Sequence, residues 1–462
     1  MLVIKKPNIT KNEGKSRVSV EINIDKDKKG RARIFTETLW FEVDDVYEKY
    51  LVHERSDAFL IGILQYAMRY KHDIILEAPI TGELLYNLKK ILIPTLCRTS
   101  SVEWHDPTIT AEILSEPIEN AEACGTGMSC GVDSFHSALQ HLELHPGAPK
   151  LTHLFVSSFG SFDVNYVKVS DDRIVRENLV RETIYSYARS AAKELNLQLI
   201  ESNTNIYELY SPLYDRTHTF NNTFAIYSMA KLFKTYLWAG GISFADFQLH
   251  KHNKRGTAYY DLLSTSCFTT RHLRFYSEGS EKTRVEKTLA ISDSKVVQNY
   301  LHVCTNELEN CGKCPKCRRT MTTLAVLGKL EKFEKIFPIH LFFAKKNLYF
   351  KSLAKSYLNK EAFALEIYPY AMRSEYADLF KSEISKLNSA ILPDIRLTEQ
   401  ILKINKELNL RKGPGKDYIL ISKLPIGTTI KLLGFNNNRK WSYVKINNET
   451  GWIKSSLVNL PK

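Results

Sequence analysis

The chain has 462 residues, of which 44% are hydrophobic and 25% charged, ordinary values for a soluble protein of roughly three domains with a real buried core. It contains no uninterrupted apolar run of about 18 residues, which excludes a transmembrane helix, and Met1-Leu-Val-Ile-Lys-Lys-Pro lacks the apolar stretch of a signal peptide, so the expectation is a cytoplasmic enzyme or binding protein. Net charge is +13, yet residues 405–462 hold 11 Lys or Arg against 3 Asp or Glu, a net +8 that leaves +5 for the rest. A basic tail on a nearly balanced body suits an acidic partner or nucleic acid, and equally plain solubility.

Residues 1–117 read as a separate α/β region without a chemical motif. Arg17–Ile24 and Ala32–Val43 alternate as strands around the charged turn Asp25–Gly30. Asp57–Tyr70 is apolar at helical spacing, His72–Leu76 reads as a strand, and Thr81–Leu96 as a helix capped by Thr81. Over residues 118–328 the order is β-loop-α-β-α-β. A loop at Cys124–Cys130 precedes a helix starting near Asp133; Leu151–Ser158 and Leu197–Ser202 are strands, and Leu179–Leu195 and Asn222–Trp238 are helices. This alternation predicts an α/β fold, a doubly wound parallel sheet with its site at the carboxyl ends of the strands. Residues 329–404 read as helical and offer a surface for oligomer contacts. Residues 405–462 carry short strands at Tyr418–Leu420, Thr429–Gly434, Trp441–Ile446 and Gly451–Ile453, which predict a small β-barrel.

The stretch Gly125-Thr-Gly-Met-Ser-Cys-Gly-Val-Asp-Ser134 is the most informative in the chain. Small residues let backbone N–H groups approach an anion, and a helix N-terminus adds a favourable field. Ser129 and Ser134 add hydroxyl donors; Asp133 would act through magnesium or as a cap. The plainer alternative is a glycine-rich turn with an Asp or Ser cap. Of eight cysteines, Cys304, Cys311, Cys314 and Cys317 fall within 14 residues, at spacings suited to a closed, structural tetrahedral zinc site. Lys313, Lys316, Arg318 and Arg319 would offset the thiolate charge, and an iron–sulfur cluster stays open as the alternative. His218, a candidate base for an incoming amine, and His250 and His252, candidates to line the same mouth, are each also readable as structural. Arg284 and Lys287 are candidate phosphate contacts or a solvated helix face. Trp104 and Trp238 read as core.

Ser129-Cys-Gly-Val-Asp-Ser134 resembles the Ser-Gly-Gly-x-Asp-Ser signature of the PP-loop ATP pyrophosphatases, with Cys130 in place of the first glycine; the Gly-Lys-Ser ending of a Walker loop is absent. The loop, followed about 170 residues later by Cys-Gly-x-Cys-x-x-Cys, is similar to one branch of that family, the 7-cyano-7-deazaguanine synthases (QueC-like). The resemblance covers about Ile118 to Gly328. It implies an adenine nucleotide alpha-hydrolase-like fold with ATP as substrate and Mg2+ and structural Zn2+ as cofactors. ATP would be bound by Ser129, Cys130, Gly131, Val132, Asp133 and Ser134, with Phe155, Ser157 and Gly160 beside adenine; Asp133 and Ser134 are its catalytic candidates. Asn222 matches the Arg-Asn of the family, while Asn221 departs. Tyr259-Tyr-Asp261 stands for Tyr-Pro-Asp, with Leu262 for Cys, which makes Asp261 the candidate reader of a deazaguanine N–H edge.

The implied activity is ATP-dependent adenylation of a carboxylate, 7-carboxy-7-deazaguanine in the family, followed by transfer to an amine with release of pyrophosphate and AMP. With ammonia as the amine this is nitrile synthesis for tRNA or DNA modification. QueC-like proteins with added domains also occur in bacterial antiphage systems, which favours a ligase that joins the carboxylate to a partner macromolecule, as a homo-oligomer or within a defence complex. A catalytically weakened nucleotide-binding scaffold is the third expectation, and tRNA thiolation the fourth. The tail, Leu408-Asn-Leu-Arg-Lys-Gly-Pro-Gly through Gly451-Trp-Ile-Lys-Ser-Ser-Leu-Val, resembles bacterial Src-homology-3-type domains, which implies a docked protein partner or an intramolecular contact.

Overall fold

The computed structural model describes residues 1–24, 37–99, 104–142, 146–158, 173–210, 214–249, 256–391, 400–416, 418–436, 439–447 and 449–458. The chain forms two compact units, one of Met1–Leu324 with Lys329–Ile339, the other of Ala325–Gly328 with His340–Lys462.

In the first unit the strands are β1 (Leu2–Ile4), β2 (Asn8–Asn12), β3 (Lys15–Ile24), β4 (Thr38–Asp44), β5 (Ile74–Leu76), β6 (Ile80–Thr81), β7 (Ile109–Thr110), β8 (Ile113–Leu114), β9 (Ala123–Gly127), β10 (His153–Ser158), β11 (Gln198–Thr204), β12 (Phe233–Ala239) and β13 (Arg274–Glu278). The helices are α1 (Asp57–Tyr70), α2 (Gly82–Asn87), α3 (Ile93–Thr99), α4 (Val132–Gln140), α5 (Arg173–Leu195), α6 (Ile206–Tyr210), α7 (Tyr214–Ser228), α8 (Asp261–Phe268), α9 (Arg284–Ile291), α10 (Lys295–Tyr300) and α11 (Pro315–Val326), which runs on into the second unit. Among the described residues one sheet takes eleven strands in the order β13-β12-β9-β10-β11-β4-β3-β1-β5-β7, with β2 on β3.

From β13 to β11 every pairing is parallel. Right-handed crossovers put α4 and α5 on one face and α7 and α8 on the other; accordingly α4 packs with α9 and α5 with α10, while α7 packs on α1 and α8. β9 lies between β10 and β12, so the chain winds outward from it in both directions, and the loop after β9 opens into the crevice where such sheets take ligands.

The N-terminal strands join this sheet through an antiparallel pairing, Ser202↔Val43 to Thr204↔Phe41. Asn205 clamps the seam: its Oδ1 accepts from Trp40 N at 3.0 Å and its Nδ2 donates to Thr38 O at 2.7 Å. Helix α1 is buried from Asp57 to Met68 and is apolar there apart from Asp57 and Gln65, and an added Cβ at Gly62 would sit 3.1 Å from Phe224 of α7.

The N-terminal region is not separate from the parallel sheet but continues it, Tyr418 and Ile419 precede the strand that begins at Leu420, and further elements differ from the sequence expectation. Asn222–Trp238 is the end of α7 and then β12, the turn Met229–Leu232 breaking the helix without glycine or proline. Cys124–Gly127 is strand, not loop; Gly125 admits the Phe233 ring, which would lie 2.5 Å from a Cβ there.

The second unit holds α12 (Ile339–Leu358), α13 (Ala362–Ala371) and α14 (Ala377–Ile391), then the strands β14 (Gln400–Lys403), β15 (Leu408–Arg411), β16 (Leu420–Leu424), β17 (Thr429–Phe435), β18 (Trp441–Ile446) and β19 (Glu449–Lys454). These strands form a separate antiparallel sheet in the order β14-β17-β18-β19-β15-β16. Leu408, Leu410, Leu432, Val444 and Ile453 fill its core. Gly451 precedes the buried Trp452 because a Cβ there would meet Leu410 at 2.8 Å and Arg411 O at 2.9 Å.

Candidate functional site

The loop Met128–Gly131 leaves the central parallel strand β9 and enters α4 at Val132. Its Met128 N–H donates to Phe155 O on β10, 2.8 Å, which ties the start of the loop to the sheet. Cys130 has φ +57, the left-handed region that glycine takes without strain, and its thiol is fully buried. Burial pushes that thiol up, far from a reactive thiolate. The Cys130 carbonyl accepts from His302 N at 2.8 Å. Gly131 is the N-cap of α4, and Ser134 Oγ donates back to its carbonyl at 3.0 Å and lies 3.4 Å from Ser129 Oγ. Ser129 is exposed, so its hydroxyl is available to a ligand at the helix end.

Asp133 meets two cations carried by α9. Arg284 Nη2 lies 2.7 Å from Asp133 Oδ2, and Lys287 Nζ 3.3 Å from Oδ1. Both cations also bond the chain just past β12: Arg284 to Gly241 O at 3.1 Å, Lys287 to Gly240 O at 2.6 Å. Helix α9 is started by a capping box between Thr283 and Glu286, which fixes its first turn against the end of the sheet. Lys287 is 1% exposed; burial lowers its pKa and the Asp133 carboxylate opposes that. One turn along α4, buried His136 lies 3.2 Å from Lys282 Nζ through Nε2. His136, Lys282, Gly240 and Gly241 are absent from the sequence expectation; the only hint was the three-residue step from Asp133 to His136 on one helix face.

A second polar cluster lies at the same end of β12. Asp261 Oδ2 accepts from Trp238 Nε1 at 3.0 Å and Oδ1 accepts from Thr219 Oγ1 at 2.5 Å. His218 Nε2 is 3.9 Å from Asp261 Oδ2, and its Nδ1 is 2.8 Å from Thr257 Oγ1. Burial raises the Asp261 pKa, opposed by His218, Thr219 and Trp238. His218 lies within α7, not in a loop before it, and Asn222 one turn on donates from Nδ2 to the His218 carbonyl at 2.7 Å. Trp238 is buried in the hydrophobic core, as expected, and its ring N–H also joins this cluster. Since it stands two residues before Gly240, the Asp261 cluster and the cation pair flank one strand end.

Phe155 is core: its ring packs on Phe41, Phe233 and Tyr236, so only its backbone reaches the loop. Ser157 Oγ is buried at the carboxyl end of β10 with no hydrogen-bond partner among the described residues. Gly160, His250 and His252 lie outside the described residues.

The four clustered cysteines converge, with all four Sγ atoms within 4.8 Å of one another. A tetrahedral zinc with Zn–S of about 2.3 Å needs sulfurs about 3.8 Å apart, and Cys304 Sγ is 3.9 Å from Cys314 Sγ. Gly312, at φ +69, makes the tight turn that lets Lys313 N and Cys314 N donate to Cys311 Sγ at 3.4 and 3.3 Å. Asn310 closes the other side, Oδ1 accepting from Val303 N and Cys304 N at 2.9 and 3.2 Å. The donor set fits a structural metal, and it lies two residues from His302, whose N–H holds Cys130.

Among known proteins, residues 406–459 match the family model of the bacterial SH3 domain, in agreement with the antiparallel sheet of the second unit. No curated protein matches the chain. A solved structure titled as insights into a novel NlpC/P60 endopeptidase from Photobacterium damselae subsp. piscicida is 20% identical, over 16% of this chain and 21% of that one, with a TM-score of 0.15. The chain thus spans about a fifth of that structure's length.

Proposed function

We propose that the first unit is a QueC-like ATP-dependent ligase that adenylates a carboxylate, 7-carboxy-7-deazaguanine or a close analogue, and transfers the acyl group to an amine. The observation that carries this reading is Asp133 at the head of α4, at the point where the sheet reverses its winding, faced by Arg284 and the buried Lys287. A helix start with two fixed cations suits a polyphosphate and stabilises negative charge on a departing pyrophosphate. A magnesium ion commonly takes one or two carboxylates plus phosphate oxygens and waters. Asp133 fits as that carboxylate and Ser129 and Ser134 as neighbouring hydroxyls; the ion supplies charge neutralisation on the phosphates.

In this mechanism a substrate carboxylate oxygen bonds to the α-phosphorus as the bond to the pyrophosphate oxygen breaks. The amine nitrogen then bonds to the acyl carbon, AMP leaves, and the amine proton passes to a base, for which His218 beside Asp261 is the candidate. Asp261 retains one lone-pair site on each oxygen beyond the bonds from Thr219 and Trp238, so it can still accept from a purine-like N–H edge. The chain contributes positioning and charge stabilisation. A macromolecular amine docked by the bacterial SH3-like segment, in antiphage defence, fits the added second unit; with ammonia instead, the first product is the amide, and a second ATP that adenylates the amide oxygen, lost as AMP, would give the nitrile of a 7-cyano-7-deazaguanine synthase. A weakened nucleotide-binding scaffold is the second reading, favoured by Cys130 in the left-handed conformation.

The test is AMP formation by the full chain given ATP, magnesium and 7-carboxy-7-deazaguanine, with and without ammonia. Weak or ammonia-independent AMP release fits the ligase awaiting its amine partner, and strong ammonia-dependent turnover fits nitrile synthesis. ATP binding without AMP under either condition leaves the scaffold and sinks the enzyme.

A further inference from the structure

The cations that meet Asp133 do not depend on it for their position. Arg284 is held by Gly241 O and Lys287 by Gly240 O, whichever way the carboxylate turns. The backbone at Gly240 is itself fixed by close approach: a Cβ there would fall 1.9 Å from Ser280 Oγ in the turn after β13. Asp133 is anchored differently, at the first turn of α4, with 19% of its side chain exposed. Lys287 is almost fully enclosed, with a side-chain exposure of 2%, so it needs an anion within reach at all times. The carboxylate therefore occupies the place that a phosphate oxygen would take between these two cations.

Resting on the reading that this loop holds phosphates, we infer that Asp133 is the resident counter-anion of the Arg284–Lys287 pair, and that a pyrophosphate-type ligand binds by exchanging with it. The phosphate oxygens take over Arg284 and Lys287, and the released carboxylate passes to the magnesium that arrives with the ligand. No covalent bond changes, and each buried charge keeps a partner throughout. The exchange makes the site selective for metal-loaded phosphates: a bare anion must compete with Asp133 and leaves the carboxylate stranded beside it.

The experiment is calorimetric titration of the full chain with inorganic pyrophosphate in magnesium-free buffer. Asp133→Asn keeps the shape and removes the charge, and it should bind at least about tenfold more tightly than the wild type. The double variant Asp133→Asn, Arg284→Ala should lose that gain. The wild type gives an independent reading that needs no variant: added magnesium should raise its pyrophosphate affinity at least about tenfold. Equal or weaker metal-free binding by D133N, or a wild type indifferent to magnesium, overturns the exchange. If the wild type binds magnesium-ATP while D133N shows no gain, the inference alone fails; if no protein binds pyrophosphate or ATP under any condition, the phosphate reading fails with it.

Discussion

His136 shows how far the cation-lined end of the sheet shapes a single side chain. It is 1% exposed, its Nε2 lies 3.2 Å from Lys282 Nζ, and its Nδ1 has no hydrogen-bond partner among the described residues. Burial, with Lys282 and Lys287 beside it, pushes its pKa down to about 4. In the unfolded chain the same ring takes up a proton near pH 6.5. Between those values the unfolded state binds a proton that the folded state refuses, so stability is full above about pH 6.5 and falls as the pH drops toward 4. Replacing His136 by Gln should flatten that fall, by about one proton's worth of slope near pH 5. Urea midpoints of both proteins at several pH values would measure it, and an unchanged slope would mean that the ring is not held neutral. Cys130 carries the opposite kind of cost: a left-handed β-carbon-bearing residue is disfavoured by about 1–2 kcal/mol, offset here by the burial of its side chain and the bond from His302.

Between elements, the cysteine knuckle and the β9–α4 loop behave as one piece. The backbone from His302 to Cys304 runs from the Cys130 carbonyl to the first thiol, and the His302 ring stacks on Tyr187 of α5 with centroids 5.4 Å apart. Cys314→Ser should remove the metal, measured as loss of the single zinc expected per chain, and should accelerate amide exchange over residues 128–132 as the brace loosens. Retained zinc, or unchanged exchange after its loss, would separate the two elements. The knuckle was legible in the sequence because its geometry is local, four thiols within 14 residues. β12 was not, because Met229–Leu232 ends the preceding helix by packing, without a residue that forbids helix. β9 was hidden by its glycines, one of which, Gly125, makes room for Phe233 more than 100 residues away. Asp133, Arg284 and Lys287 could each be named as candidates, but their meeting depends on parallel pairing across about 150 residues, which no local pattern records.

At the scale of the whole molecule, chemistry and charge are divided between the units. The eleven-stranded sheet, the loop, the cation pair, the Asp261 cluster and the cysteine knuckle all belong to the first unit, whereas the net +8 of residues 405–462 belongs to the second. The N-terminal strands are tied to the parallel strands by the β4–β11 pairing and by Asn205, so the first 117 residues are not removable: α1 is buried against α7, the helix that carries His218 and Asn222. The second unit has its own core around Leu410, Val444 and Ile453. A chain ending after Ile339 should therefore melt as one cooperative species and bind magnesium-ATP within about threefold of the full protein, a difference below 1 kcal/mol. Removing residues 1–117 instead should abolish folding, since it strips one edge of β11 and uncovers the apolar face of α7. Thermal melts and nucleotide titrations of the two truncations decide this: a first unit that fails to fold alone would make the second a structural necessity instead of a docking module for a partner.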